Sequence, residues 1–327
     1  MSRLAAMLLC PLLAGGGPAH AAGPAINHST IAFTLKEKDL LPEDLAYDPQ
    51  SGYFLVGSAR WGGIRAVAPG CREWDFEAAR AQGLWMVIGM KADPKRRALW
   101  VASSDGGQLV GHKPSDRNAA GLFEFDLDTG GLIARYLLDE PRGDHFLNDL
   151  VVAPDGDVYV THTRDAGQVW RLDAATRTFA PFYRGDAGFH DPQGIAITPD
   201  GKRLYVADAT GVSAIEVAGR ERKRLAVPAD LKLAGVDGLY LYDRSLVLIQ
   251  PALKRVSRCA LDAAGLAVTG CTVLEQDHPM FDRPTAGVIV DNTLYYIANS
   301  QSDSVDAEGR LAPLEHLYQP VILKLEL

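Results

Sequence analysis

The amino-acid sequence predicts an all-β protein, a six-bladed β-propeller with four antiparallel strands in each blade. The main observation is a phrase that recurs six times, each copy having two short apolar runs around a turn. In DPQGIAITPDGKRLYVAD, residues 191–208, the runs IAI and LYVA flank a Pro-Asp-Gly turn. The copies are 45, 60, 45, 44 and 49 residues apart, measured between Asp44, Gly89, Asp149, Gly194, Gly238 and Gly287. A period in the forties built from short strands is typical of propeller blades.

Each repeat divides into four strands, A to D, which in the fourth repeat are GIAIT, RLYVAD, GVSAIEV and about RKRLAVP. The sixth repeat provides only three strands before the sequence ends, whereas the segment STIAFTLKE from Ser29 precedes the first repeat. We expect this segment to be the fourth strand of the sixth blade, because it then closes the ring and leaves no sheet edge exposed. An open β-sandwich would leave both the segment and the period unexplained.

Residues 1–21 are predicted to be a signal peptide. Arg3 precedes the apolar run LAAMLLCPLLAG, which is too short to span a bilayer, and an Ala-His-Ala cleavage site ends at Ala21. We therefore expect a short linker at residues 22–28, a single propeller domain at residues 29–327, and a periplasmic or secreted location. No later segment has the pattern of a membrane span, and we expect a monomer.

The net charge of the chain limits which classes of binding partner are expected. The formal net charge is −8 at pH 7, and no basic stripe of the kind that follows a phosphate backbone is present, so nucleic-acid binding is not expected. A negative balance is compatible with cation binding. We expect a small-molecule partner.

Export would also permit disulfide bonds. The stretch RVSRCALDAAGLAVTGCTVLE predicts two strands around a turn, with Cys259 and Cys271 equidistant from Gly265. The two cysteines should face each other across the hairpin, either as a disulfide or as buried thiols, and we favour the disulfide. Cys71 is then left over, and we expect it to be reduced and structural.

Each repeat has an aligned position that is Gly in four copies and Asp in two, which we call the glycine position. In a propeller the residue just before it should lie near the axis, because every A strand starts on the same face beside the axis. Around one mouth of the channel these residues are Glu43, Ile88, Asn148, Gln193, Asp237 and Ala286. Four of them carry side-chain oxygens and none is His or Cys. All-oxygen donors favour a hard cation, and Ca²⁺ tolerates irregular geometry better than Mg²⁺ does, whereas zinc prefers His or Cys. The alternative is that these side chains bind channel water or backbone amides.

The chain resembles the gluconolactonase, regucalcin and luciferin-regenerating-enzyme-like family of six-bladed propellers. The resemblance extends from about residue 29 to the C-terminus and is carried by PEDLAYDP, LNDLVVAPDGDVYV, PQGIAITPDGKRLYVAD and VDGLYLY. The order of acidic, amide, amide and acidic residues around the ring is its most specific feature.

The resemblance implies a divalent cation at the mouth, most simply Ca²⁺, with Zn²⁺, Mn²⁺ and Mg²⁺ as alternatives. Glu43 and Asp237 match the family's acidic ligands, and Asn148 matches a nearby Asn on the substrate side. Gln193 replaces the main Asn ligand and is one methylene longer. Phe146 stands where sugar-lactonase relatives have a substrate-binding Arg, which counts against a sugar lactone.

The implied activity is metal-assisted opening of a lactone or similar cyclic ester, in which the cation polarises the carbonyl group. Asp237 is the candidate general base, although ligation would lower its pKa and leave it as a ligand only.

The loops on the same face should bind the substrate. The long insertion SDGGQLVGHKPSDRNAAG, which explains the 60-residue spacing, is a candidate lid. We predict substrate contacts from Asn148, Arg60, Trp61, His162 and His112, and the same loops should bring Arg164 to this rim.

Two alternatives stay open at this point. One is a non-enzymatic exported propeller that binds a small molecule or a protein, with a structural cation or none; the sequence has no G-x-S-x-G nucleophile motif. The other is a condensing enzyme like strictosidine synthase, which shares the fold but needs a Glu base that the sequence does not identify. Fold alone does not decide between them.

Overall fold

The computed structural model describes residues 25–77, 81–138, 143–184, 189–306 and 308–327. These residues form six four-stranded antiparallel sheets, which confirms the predicted six-bladed propeller. The strands in chain order are β1 (Thr30–Thr34), β2 (Pro42–Asp48), β3 (Tyr53–Ser58), β4 (Ile64–Val67), β5 (Glu73–Glu77), β6 (Met86–Asp93), β7 (Ala98–Ser104), β8 (Ala120–Asp126), β9 (Leu132–Leu137), β10 (Leu147–Val152), β11 (Val158–His162), β12 (Gln168–Leu172), β13 (Phe179–Tyr183), β14 (Ile195–Ile197), β15 (Arg203–Asp208), β16 (Gly211–Glu216), β17 (Arg222–Arg224), β18 (Leu239–Tyr242), β19 (Ser245–Gln250), β20 (Arg255–Leu261), β21 (Val268–Gln276), β22 (Gly287–Val290), β23 (Thr293–Ile297) and β24 (Val321–Glu326).

The first five blades are consecutive groups of four strands, beginning with β2, β6, β10, β14 and β18. The described part of the chain also contains single-turn 3-10 helices at Pro114–Asp116, Pro251–Leu253, Ser302–Ser304 and Leu314–His316. None of the described helices is long and apolar enough to cross a bilayer. The predicted signal peptide lies outside the described residues, as do the first three residues of the predicted linker.

The sixth blade is closed by the N-terminal strand, as the sequence predicts. Its order is β22, β23, β24 and β1, and β1 pairs antiparallel with β24 so that Thr34 lies opposite Val321. The residues just before β1 are also held, because the amides of His28 and Ser29 donate hydrogen bonds of 3.1 and 2.6 Å to Oε2 of Glu275 in the fifth blade.

The hydrophobic core lies between neighbouring blades, since each sheet buries both faces against the next. One cluster joins Ala102 and Leu122 of the second blade to Leu147 and Val160 of the third, and corresponding clusters fill the other junctions. The ring thereby fixes the position of each A strand, the first strand of its blade, relative to the axis.

Cys259 and Cys271 lie opposite each other in the β20–β21 register and are joined by a disulfide. Cys71 is free and exposed, at a turn with a φ of 63°. Its side chain therefore contributes nothing to the core, contrary to the structural role expected from the sequence.

Candidate functional site at the axial mouth

A cavity of about 280 Å³ lies at one mouth of the channel between the A strands, and we call it the axial cavity. It is lined by Glu43, Asp44, Met86, Ile88, Gly106, Gln108, Phe146, Asn148, Asp149, Arg164, Gln193, Asp237, Arg283, Ala286 and Ser302. All six residues that precede the glycine position are in this set. We call these six residues the pre-glycine ring. The structure therefore brings together the four oxygen-bearing side chains that the sequence pattern singles out.

Irregular pairing at the start of the A strands aims these side chains inward. The register shifts between Pro42 and Leu45 in the first blade and between Leu147 and Leu150 in the third. Such bulges redirect side chains beside functional sites, and Glu43 and Asn148 lie within these two shifts.

The recurring glycines allow neighbouring A strands to approach each other closely. A Cβ atom added to Gly89 would lie 2.1 Å from the carbonyl oxygen of Asn148, and one added to Gly194 would lie 2.3 Å from that of Asp237. Both contacts are with backbone atoms of the next blade, which cannot move without moving the ring. Glycine is required here because the strands that present the site are crowded around the axis.

Glu43 and Asp237 are the two carboxylates of the pre-glycine ring. Burial, together with the negative charge of Asp237, raises the pKa of Glu43 to about 8. Burial likewise raises the pKa of Asp237 to about 6, although the guanidinium of Arg283 opposes this shift. Two carboxylates that ionise with difficulty in one recessed cavity create a demand for positive charge.

The two amides of the ring contact each other, with Nδ2 of Asn148 donating a hydrogen bond of 2.5 Å to Oε1 of Gln193. The extra methylene of Gln193 lets its amide reach across to the third blade. The main chain of Gln193 is also fixed, because the hydroxyl of Thr161 donates a 2.7 Å hydrogen bond to its carbonyl oxygen.

Below the ring, Lys91 lies between two buried aspartates. Its ammonium group is 3.0 Å from Oδ2 of Asp44 and 3.0 Å from Oδ1 of Asp149. Burial alone would lower the pKa of Lys91, but the charges of Asp149 and Asp44 raise it overall. Lys91 thus offsets part of the negative charge of the floor, whereas among the described residues Glu43 and Asp237 form no direct ion pair and are influenced by the charge of Arg283.

The ring suits a hard cation, because its two carboxylates and two amides offer only oxygen atoms as metal ligands. Within the described residues, no group of three or more His, Cys, Asp or Glu side chains is arranged to hold a metal ion, so a site here depends on the amide oxygens of Asn148 and Gln193. A cation at this place would also neutralise the charge of the Glu43 and Asp237 carboxylates. The hydrogen bond between the amides occupies Oε1 of Gln193 and leaves Oδ1 of Asn148 as the more available amide ligand.

The other candidate residues lie around this cavity rather than in its lining. Arg60 donates through Nη1 to the carbonyl oxygens of Gln108 at 3.0 Å and Gly309 at 3.4 Å, so it supports the cavity wall. Trp61 lines a separate cavity of about 360 Å³ at the side of the first blade. His112 contacts Asp105 at 2.7 Å, a contact that organises the insertion. None of the three is among the described residues that line the axial cavity.

His162 is fully buried and does not belong to the described lining. Its Nε2 lies 2.9 Å from Nδ1 of His145, and its Nδ1 lies 2.7 Å from the carbonyl oxygen of Arg164. Burial lowers its pKa, and its ring stacks on Trp170. Both ring nitrogens are therefore engaged inside the third blade, away from the ligand space.

The insertion of the second blade forms part of the cavity wall. Gly106 and Gln108 line the cavity, while Leu109 is buried in a cluster with Met86 and Ile88. The segment predicted to be a lid is thus packed onto the mouth.

Two arginines line the cavity. The sequence places Arg164 on the loops of this rim, whereas Arg283 was not predicted. Arg283 precedes the sixth A strand by a few residues, and Arg164 follows β11; both come from loops, where strand periodicity carries no information. Arg164 lies over the ring of Phe146, with its guanidinium carbon 4.9 Å from the ring centre. A guanidinium group therefore reaches the cavity from a different position than the sequence resemblance implies.

A second cavity of about 230 Å³ adjoins the first, and we call it the side compartment. Gln193, Asp237 and Arg283 line both spaces. The remaining lining of the side compartment comes from the fourth and fifth blades, including Asp191 and Asp208.

Comparison with solved structures gives the same architecture. The chain is similar to the Malassezia sympodialis allergen Mala s 1, with 14% sequence identity, a TM-score of 0.66, and coverage of 92% of this chain and 96% of the other. A luciferin-regenerating enzyme is 12% identical with a TM-score of 0.60, covering 88% and 91%. A gluconolactonase from Xanthomonas campestris is 16% identical with a TM-score of 0.59, covering 94% and 98%. The shared feature is the fold.

No protein-family model matches the sequence. No curated protein is significantly similar to it in sequence. The function must therefore be argued from the axial cavity itself.

Proposed function

We propose that this protein is an exported, divalent-cation-dependent hydrolase that opens a lactone or a similar cyclic ester in the axial cavity. The observation that carries the proposal is the convergence of Glu43, Asn148, Gln193 and Asp237 on one cavity. Carboxylate and amide oxygens are the ligands that calcium prefers, and the raised pKa values of the two acids indicate a need for a cation.

In this proposal Glu43 and Asp237 hold the cation with the amide oxygen of Asn148, and Gln193 orients Asn148. When bound, the cation would polarise the ester carbonyl as a Lewis acid. A carboxylate oxygen of Asp237 accepts a proton from water while the water oxygen bonds to the carbonyl carbon. The ring C–O bond then breaks, and the proton passes to the alkoxide oxygen. Apolar walls at Met86, Ile88 and Phe146 limit competing water.

Export and oligomeric state belong to the same proposal. The N-terminal sequence supports a periplasmic or secreted protein, and the disulfide between Cys259 and Cys271 is of the kind that persists in oxidising compartments. We propose a monomer with a small-molecule substrate.

Calcium titration followed by thermal unfolding tests the cation site. We expect Tm to rise by on the order of 5 °C at saturating Ca²⁺, and Asp237→Ala to abolish the rise. Asp230→Ala, at an exposed residue of the same loop region, is the matched control. Zn²⁺, Mn²⁺ and Mg²⁺ are run in parallel. No rise with any cation, or an equal rise in Asp237→Ala, would remove the site.

Hydrolysis is tested with a panel of lactones and aryl esters, with and without a chelator. We expect cation-dependent opening of at least one compact lactone, lost in Asp237→Ala and retained in Asp230→Ala. Turnover that is unaffected by the chelator would contradict a metal-dependent mechanism.

A binding protein without catalysis is the second candidate. The hydrogen bond between Asn148 and Gln193 favours it, because that bond occupies Oε1 of Gln193, one of the amide oxygens that a catalytic cation could use. Calcium-dependent stabilisation combined with no turnover of any ester would support this alternative.

A further inference from the structure

The charges that line the axial cavity are unevenly matched. The described lining contains four carboxylates and two guanidinium groups, Arg164 and Arg283. Two of the carboxylates, Asp44 and Asp149, share Lys91, and the other two are the cation ligands of the proposed function. With the proposed divalent cation bound, Lys91, the cation and the two guanidinium groups would carry five positive charges against four carboxylates. The lining together with Lys91 would then have a net charge of +1, which favours an anionic ligand.

Among the described residues, the carboxylates that pair with the two arginines are exposed and lie outside the cavity lining. Arg164 donates to Oδ1 of Asp144 at 3.0 Å, and the Asp144 side chain is 58% exposed. Arg283 lies 3.5 Å from Asp303, whose side chain is 72% exposed. Ion pairs to exposed carboxylates are worth little because water and salt screen them. An anion inside the cavity would be a better-shielded partner for either guanidinium.

Arg164 is also held in place for recognition. Its guanidinium lies over the ring of Phe146, and its Nη1 donates to Oδ1 of Asn118 at 3.2 Å. These contacts limit the freedom of a long side chain, so less entropy is lost when it binds a ligand. A planar guanidinium presented in this way suits the two oxygens of a carboxylate.

The wall beside Arg164 is apolar. Met86, Ile88 and Phe146 line the cavity and pack in one cluster, and Arg164 lies over Phe146, so a ligand whose charge contacts Arg164 would place an uncharged body against these side chains. A volume of about 280 Å³ is near the lower end of ligand pockets, which start at about 300 Å³. The ligand that fits is compact, with one flat or apolar part.

We propose that the axial cavity contains an anion subsite formed by Arg164 on Phe146, with Arg283 as a second guanidinium of the lining, and that the substrate carries a carboxylate. The substrate class is a compact lactone or cyclic ester with an ionised carboxylate and an apolar or ring-shaped body. As an inference about substrate, this rests on the proposed hydrolase function, but the subsite itself is testable by binding alone.

The experiment uses two probes that differ in charge, a carboxylated phthalide and its primary carboxamide. Phthalide is a flat, ring-fused lactone, so both probes present the same ester and the same body. Dissociation constants are measured by calorimetry, and kcat/KM by ring opening, both at saturating Ca²⁺. Wild-type protein should prefer the carboxylate by about 10- to 100-fold in both measurements, the size expected for a charged hydrogen-bonded pair.

Arg164→Met keeps an apolar stem over Phe146 and removes the charge. We expect it to abolish the preference while changing values for the carboxamide by less than about twofold, since no charged pair is lost there. Arg117→Met, at an exposed arginine of the insertion that is outside the described lining, is the matched control. Arg283 is not the primary variant, because its charge also affects Glu43 and Asp237. Arg164→Lys, which keeps the charge but loses the planar fork, replaces the Met variant if that one does not fold, with a partial loss expected.

Equal binding of the two probes by wild-type protein, binding of neither, or an Arg164 variant that weakens both alike would overturn the subsite. Ring opening of neither probe, combined with carboxylate binding that depends on Arg164, would support the subsite and contradict the proposed hydrolysis.

Discussion

Calcium binding should weaken by about 200-fold between about pH 9 and about pH 6 if Glu43 and Asp237 hold the cation. Only the ionised carboxylates bind, so a protonated acid must lose its proton first. With a pKa of about 8, Glu43 is ionised in roughly one molecule in a hundred at about pH 6. Asp237, with a pKa of about 6, is half ionised there. Treated as independent sites, the two acids give factors that multiply, and affinity rises with pH until it levels off above the pKa of Glu43.

Isothermal titration calorimetry with Ca²⁺ at stepped pH measures this dependence directly. In Glu43→Gln the affinity at high pH should be lower, and only the roughly twofold contribution of Asp237 should remain between the same two pH values. Glu221→Gln, at an exposed acid outside the cavity, should behave as wild type. An affinity independent of pH, or a steep dependence that persists in Glu43→Gln, would refute the assignment of Glu43 as a ligand.

Three further substitutions test the floor of the cavity, the crowding of the strands and the hairpin. Lys91→Met leaves two buried carboxylates without their counter-ion and should lower the free energy of unfolding by about 3–5 kcal/mol. Urea unfolding near neutral pH measures this loss. A loss below about 1 kcal/mol would contradict the arrangement of Lys91 between the two aspartates. Gly194→Ala places a Cβ atom 2.3 Å from the carbonyl oxygen of Asp237, so calorimetry should show cation binding weakened by about tenfold or more. Unchanged affinity would argue that the close approach of the two strands does not position Asp237. Replacing Cys259 and Cys271 with Ser removes a cross-link that spans 12 residues and should reduce unfolding free energy by about 3 kcal/mol, with an unshifted urea midpoint as the contrary result.

The sequence predicted the fold and the ring because both depend on strand periodicity. Alternating apolar residues and turn signals located each A strand, and the constant offset from the glycine identified Glu43, Asn148, Gln193 and Asp237. Ring closure by β1 followed from the same counting, since the sixth repeat lacks its fourth strand. These features need no knowledge of side-chain conformation.

The loop residues could not be located in this way. Arg60, Trp61 and His112 occur on the expected loops, yet their side chains turn toward other loops or a neighbouring cavity, because a loop has no repeating direction. Lys91 is different, since a signal for it exists. It lies two residues after Gly89, on the same face of the A strand, and is the only charge in MVIGMKA, so strand alternation alone directs it toward the axis.

The site and the ring are built by the same backbone contacts. Oδ2 of Asp44 accepts the amide of Met90 in the second blade at 2.8 Å, and Oδ2 of Asp149 accepts the amide of Ile195 in the fourth at 3.1 Å. Both aspartates directly follow residues of the pre-glycine ring.

A hydrogen bond that locks two blades together therefore also fixes where the preceding side chain, Glu43 or Asn148, enters the cavity. Placement by A strands is more rigid than placement by loops, because moving one of these side chains requires breaking contacts between blades. Side-chain length and the loops are therefore the parts of the site that can change without moving the strands. Gln193 is a methylene longer than its neighbour Asn148, and Arg164 brings its guanidinium from the loop after β11. The strands set where a cation would be held, and the loops set which ligand can approach it.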